Sequence, residues 1–168
     1  MEKKLIVING RGGVGKDTLC DFAAKHFKVR NISSVDPIKE IARCGRWNGE
    51  KDSKSRKFLS DLKQLFTEYN ELPTRYICEQ YEEFKKSDED ILFVHIREPK
   101  EIEKLKNTLP GCCLALLVTR ENYNCNWGNA SDDDVEKYNY DLYFKNDAPL
   151  EEAEKNFTEF LTKNVFGK

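Results

Sequence analysis

A chain of 168 residues, 39% hydrophobic and 35% charged, is long enough for one domain with an ordinary core and too rich in apolar side chains for disorder. Its formal net charge of −2 supplies no global positive field, which argues against nucleic acid or an anionic membrane as partner, so any polyanion must be met locally. The longest apolar run, Cys112 to Val118, is neither a signal peptide nor a membrane span, and six cysteines without a CxxC pair read as buried, reduced thiols of a cytoplasmic protein rather than a disulfide frame or thiolate metal site.

The chain opens on a wholly apolar run, Leu5-Ile6-Val7-Ile8, followed by glycines and then by Leu19, Phe22, Ala23, His26 and Phe27 at helical spacing. That order predicts strand, loop, helix. A second strand is expected near Val29 to Val35, closed by Asp36-Pro37, with a helix to about Cys44, because proline suits a first helical turn. From Lys54 to Lys86 the pattern is helical, with Phe58, Leu62, Leu65, Phe66 and Tyr69 on one face and Ile77, Tyr81 and Phe84 on another. Leu72-Pro73-Thr74 divides it into two amphipathic helices.

Ile91 to Ile96 reads as a central strand buried on both faces, with His95 midway as a satisfied core histidine and Arg97 at its carboxyl end. Lys100 to Leu109 is a short helix, and Cys112 to Thr119 is another buried strand ending at Arg120. Asn122 to Asp134 is polar and irregular, a surface loop or short lid. After a last strand at Leu142 to Phe144, Asp147 is expected to cap a helix carrying Leu150, Ala153, Phe157, Phe160 and Leu161 on one face, with Pro149 in its first turn. Five short apolar strands separated by helices predict an α/β fold with a mostly parallel sheet covered on both faces, and a ligand crevice at the strand carboxyl ends.

The chemistry concentrates in Gly10-Arg11-Gly12-Gly13-Val14-Gly15-Lys16-Asp17-Thr18, between the first strand and its helix. Backbone N–H groups of such a loop cradle phosphate, and Lys16 supplies a charge to its oxygens. Gly10-x-Gly12-x-x-Gly15 also satisfies the dinucleotide fingerprint, with Asp36 in place of the ribose-binding acid. Lys16 favours the mononucleotide loop, since a dinucleotide fold needs no cation there. Asp17 stands where such loops carry Ser or Thr, and a carboxylate beside a triphosphate calls for a divalent cation between them. Asp17, with Thr18 beside it, is therefore the expected magnesium ligand. Trp47 and Trp127 lie in loop-like sequence, where each either stacks on a base or covers the edge of the core.

The run Gly15 to Phe22, together with Asp36-Pro37-Ile38-Lys39-Glu40-Ile41-Ala42, resembles the deoxynucleoside monophosphate kinases of phages and bacteria, within the wider adenylate-kinase-like P-loop group. Animal phosphomevalonate kinases share the Gly-Lys-Asp form of the loop. The resemblance implies a three-layer P-loop fold in a single domain, with residues 37–88 as a helical acceptor-binding insertion and 121–136 as a short lid loop. It implies ATP with magnesium as cofactor, a small nucleotide as acceptor, and a monomer or homodimer. Gly12, Gly13, Val14, Gly15, Lys16, Asp17 and Thr18 would hold the phosphates, with Arg120 and Asn146 also on the nucleotide. Arg97, Arg43, Arg56 and Arg75 would meet the acceptor beside Asp36, and Lys16, Asp36, Arg97 and Arg120 would carry catalysis. Glu121 to Glu136 departs from the pattern in containing no Lys or Arg, so Arg120 is the one lid-side cation. Kinases of dephospho-CoA or phosphomevalonate type, and a nucleotide-binding module without turnover, stay open as alternatives.

Overall fold

A computed structural model describes residues 2–121 and 134–168. Five strands, β1 (Lys4–Asn9), β2 (Val29–Ser33), β3 (Ile91–His95), β4 (Cys113–Thr119) and β5 (Leu142–Lys145), form one sheet in the order β2-β3-β1-β4-β5. Every pairing is parallel, so the sheet is wholly rather than mostly parallel. The helices are α1 (Lys16–Ala24), α2 (Asp36–Cys44), α3 (Ser53–Asn70), α4 (Leu72–Lys86), α5 (Pro99–Thr108) and α6 (Leu150–Asn164).

Parallel strands need crossovers, and the helices that supply them cover both faces. Strand periodicity sorts the core. Leu5, Val7, Leu92, Val94, Ala115 and Leu117 point to one face and pack against Ile77 and Phe84 of α4 and Ile102 and Leu105 of α5. Ile6, Ile8, Phe93, Leu116 and Val118 point to the other, against Leu19, Cys20 and Ala23 of α1 and Phe157 and Leu161 of α6. The central strands therefore read as continuous apolar runs, because both faces are buried.

Residues 37–88 divide in two. α4 is a core helix of the sheet layer, whereas α2 and α3 pack on α4 and on each other. The apolar stripe of α3 is not a core face: Leu65 is 61% and Tyr69 81% exposed, and the one buried residue of the helix is Ser55. α3 begins instead on its cap, the Asp52 carboxylate accepting from the Ser55 N–H at 2.7 Å. Three other expectations change. His95 is the last residue of β3, not midway along it. Asp147 does not cap α6; its carboxylate accepts from the Glu121 N–H, and Leu150 at the start of that helix is exposed. Among the described cysteines, all free, only Cys20 is fully buried, while Cys44 and Cys112 face solvent. Among the described residues no helix is long and apolar enough to cross a membrane.

Candidate functional site

The loop between β1 and α1 lies at the carboxyl edge of the sheet, beside the central strand. Its backbone has positive φ at Gly10, Gly13 and Gly15, and at the first and last of these a side chain would also collide with a neighbour. Gly10 has φ 155° and a Cβ there would stand 2.5 Å from the Val118 carbonyl oxygen; Gly15 has φ 93° and its Cβ would stand 2.7 Å from Asn146 Nδ2. Both side chains are forbidden by backbone and neighbours together. Gly12 is different. A Cβ there meets nothing within 4 Å, so nothing described in the polypeptide requires its glycine.

α1 starts at Lys16, and the first intrahelical bond runs from the Leu19 N–H to the Gly15 carbonyl at 3.0 Å. The N–H groups that open α1, those of Asp17 and Thr18 among them, precede the first intrahelical bond and gather at the positive end of the helix, which suits an anion. Lys16 Nζ arches back and donates to the carbonyls of Gly10 and Arg11, holding its charge over the loop. Beneath, the buried Asn146 amide donates to the Val14 carbonyl at 2.8 Å, and its backbone N–H donates to Thr119 at 2.7 Å. Asn146 supports the loop from below and also edges the pocket beside it.

On the β3 side of the loop stands His95. Its Nε2 lies 2.7 Å from Asn31 Oδ1 and 3.9 Å from Asp17 Oδ1, and the ring is 18% exposed. Burial holds its pKa below the ordinary value, with Lys16 acting in the same sense and Asp17 and Asp36 opposing. His95 is hydrogen-bonded, as expected, but it faces the loop rather than the core interior. Asp36 opens α2, and one of its carboxylate oxygens accepts from the Ser33 N–H at 2.7 Å, closing the turn after β2. Arg97 is exposed just beyond β3. Among the described residues no carboxylate pairs with it; Glu98 and Glu101 turn to Lys63 at 3.6 and 2.9 Å.

On the β5 side, Thr18, Arg120, Asn146, Ala148 and Leu150 line a shallow pocket of about 90 Å³. Asp17 and Thr18 therefore diverge, one toward His95 and the other toward Arg120. A larger groove of about 380 Å³, lined by His26, Glu151 and Glu154, lies past the far end of α1, away from the loop. Its lining carboxylates make it unsuited to phosphate.

The remaining acceptor-side arginines are scattered. Arg43 lies in the last turn of α2, roughly 10 Å along the axis from Asp36 at 1.5 Å per residue, and its guanidinium stacks over Trp47 at 5.7 Å. Arg56 and Arg75 are exposed in the first turns of α3 and α4. Most of the expected lid loop, and Trp127 and Cys125 with it, lies outside the described residues; of that segment Val135 is buried, and Glu136 pairs with Arg11 at 3.1 Å. Arg11, His95 and Asn9 were not read from the sequence as individual site residues, yet Arg11 lies in the loop and the other two border it. Only Arg11 carried a visible signal, as a cation inside a phosphate motif.

No protein-family model matches the chain, nor does any curated protein. Its fold is that of the P-loop kinases. Shikimate kinase from Aquifex aeolicus aligns over 98% of this chain and 99% of its own, with TM-score 0.56 and 13% identity. Thymidylate kinase from Candida albicans aligns over 99% and 94%, with TM-score 0.56 and 11% identity. A sugar kinase from Janibacter aligns over 95% and 93%, with TM-score 0.50 and 14% identity. At such identities the likeness is one of architecture.

Proposed function

We propose that this protein is an ATP-dependent phosphotransferase acting on a small phosphorylated acceptor, a (deoxy)nucleoside monophosphate being the leading choice. The observation that carries the reading is the loop itself. The N–H groups at the start of α1, the Lys16 ammonium held over the loop by the Gly10 and Arg11 carbonyls, and the open approach at Gly12 together suit a polyphosphate. The solved structures of like fold bear the names of kinases of shikimate, thymidylate and a sugar, which supports the reaction class and leaves the acceptor to the site.

In this reading the loop N–H groups and Lys16 hold the β and γ phosphates, and the pocket of Thr18, Arg120 and Asn146 takes the nucleoside end. A magnesium ion, when bound, would supply positive charge against the phosphates. Asp17 fits as its one protein carboxylate, because it is 93% exposed at the loop rim and would otherwise repel the phosphates. Arg97, free of carboxylate partners among the described residues, can take the acceptor phosphate bidentately. Asp36, with one oxygen fixed by Ser33, can orient the attacking acceptor oxygen with the other.

A phosphate-ester acceptor attacks through an oxygen that is already anionic, so Asp36 then serves as an orienter and not as a base. The test is a panel of deoxynucleoside monophosphates, dephospho-CoA and phosphomevalonate, assayed with wild type and Asp36→Asn. The reading expects turnover on one class with a modest loss in the variant; a loss of about 10²- to 10⁴-fold would point to a hydroxyl acceptor needing a base. Tight ATP binding with no turnover on any acceptor would instead establish a binding module.

A further inference from the structure

We propose that Asn9 is a positioning residue that fixes the backbone of Arg97 against the phosphate loop, so that donor and acceptor phosphates are held at a set spacing; this rests on the kinase reading. Asn9 is the last residue of β1 and is 1% exposed. The β1–β3 ladder ends with Ile8 opposite His95, so Ile96 and Arg97 lie past the last strand pairing. There the Asn9 side chain continues what the backbone stops doing. Its Nδ2 donates to the Arg97 carbonyl at 3.0 Å and to Tyr140 Oη at 2.9 Å, while its Oδ1 accepts from the Gly10 N–H at 2.9 Å.

One buried amide thus touches the first residue of the loop and the arginine on the acceptor side. Tyr140 completes the network by donating its hydroxyl to the Val135 carbonyl at 2.7 Å. The chemistry is specific to Asn. Two donors and one acceptor are needed on a short side chain, and aspartate would set an acceptor against the Arg97 carbonyl and bury a charge. Without the amide, the Arg97 carbonyl and Gly10 N–H would lose their partner at the point where transfer distance is decided.

The tie and its consequence can be tested separately. Hydrogen exchange on the full chain reads the tie: in Asn9→Ala, amides of residues 96–98 should exchange at least tenfold faster, while those of 92–94 keep their rate. Tyr140→Phe, which keeps the ring, should show the same effect at about threefold and covers the case in which Asn9→Ala fails to fold. Unchanged exchange at 96–98 in the folded variants would overturn the proposal whether or not the protein is a kinase. Kinetics reads the consequence, using whichever deoxynucleoside monophosphate the wild type turns over. Acceptor KM should rise at least tenfold and kcat should fall, with magnesium–ATP affinity within threefold, whereas Ile102→Val, a core change on α5, should leave that ratio alone. Equal effects on both substrates, or the same shift in Ile102→Val, would overturn the positioning role. A wild type without turnover would remove the kinase reading and leave the exchange result to decide the tie.

Discussion

The side-chain amide of Asn146 lies 2.7 Å from where a Cβ on Gly15 would stand. Gly15 also has φ 93°, which costs an L-residue roughly 1–2 kcal/mol before any clash. Gly15→Ala should therefore lower the melting temperature and displace the loop from its support. Gly12→Ala meets no neighbour and should melt like wild type, yet bind ATP at least tenfold more weakly because its methyl enters the phosphate approach. Paired melting curves and ATP titrations check both, and equal behaviour of the two variants would contradict the assignment of their roles.

Asp17 should make the site unusually dependent on metal. Its exposed carboxylate lies at the rim of the loop and repels a triphosphate unless a divalent ion stands between. Wild type should gain ATP affinity strongly on adding magnesium, and Asp17→Ala should lose most of that gain while keeping metal-free binding. Calorimetry with and without magnesium decides it.

Arg97→Met should raise the acceptor KM far more than the KM for ATP, where those constants approximate binding. The effect should be clear because, among the described residues, no carboxylate competes for the guanidinium. Steady-state kinetics with each substrate varied in turn provides the comparison.

Glu101 should leave a signature in stability. Burial raises its pKa above the ordinary 4.5, with Lys63 opposing. A carboxyl raised in the folded state binds its proton better there, so its contribution is fully present below pH 4.5 and is lost as pH rises through the raised value. Relative to Glu101→Gln, wild type should thus become progressively less stable across that window and then level off. Denaturant midpoints of the two proteins at several pH values give the difference directly.

The fold was legible where local chemistry decides it. Glycine spacing with Lys16 marked the loop, and unbroken apolar runs such as Leu5 to Ile8 marked strands buried on both faces. The carboxyl-edge positions of Asp36, Arg97 and Arg120 followed from their places after strands. What the sequence did not show were bonds between distant residues. Asn9 and Tyr140 are 131 positions apart, and neither belongs to a motif. His95 looked like core because apolar residues flank it, but β3 ends there and its ring turns to Asp17. Asp147 had the local pattern of a cap and was drawn away by the Glu121 N–H. The stripe on α3 had the period of a buried face, and period alone does not say that another element will cover it.

If the loop binds the phosphates of ATP through Lys16, calorimetric titration of magnesium–ATP into wild type and Lys16→Ala will separate the two proteins. Removing a charge-assisted contact should cost roughly 1.5–3 kcal/mol, or about ten- to 150-fold in affinity, in a variant that still folds. An ATP affinity unchanged by the substitution, or a wild type that binds a nicotinamide dinucleotide in place of ATP, would rule out this role for the loop.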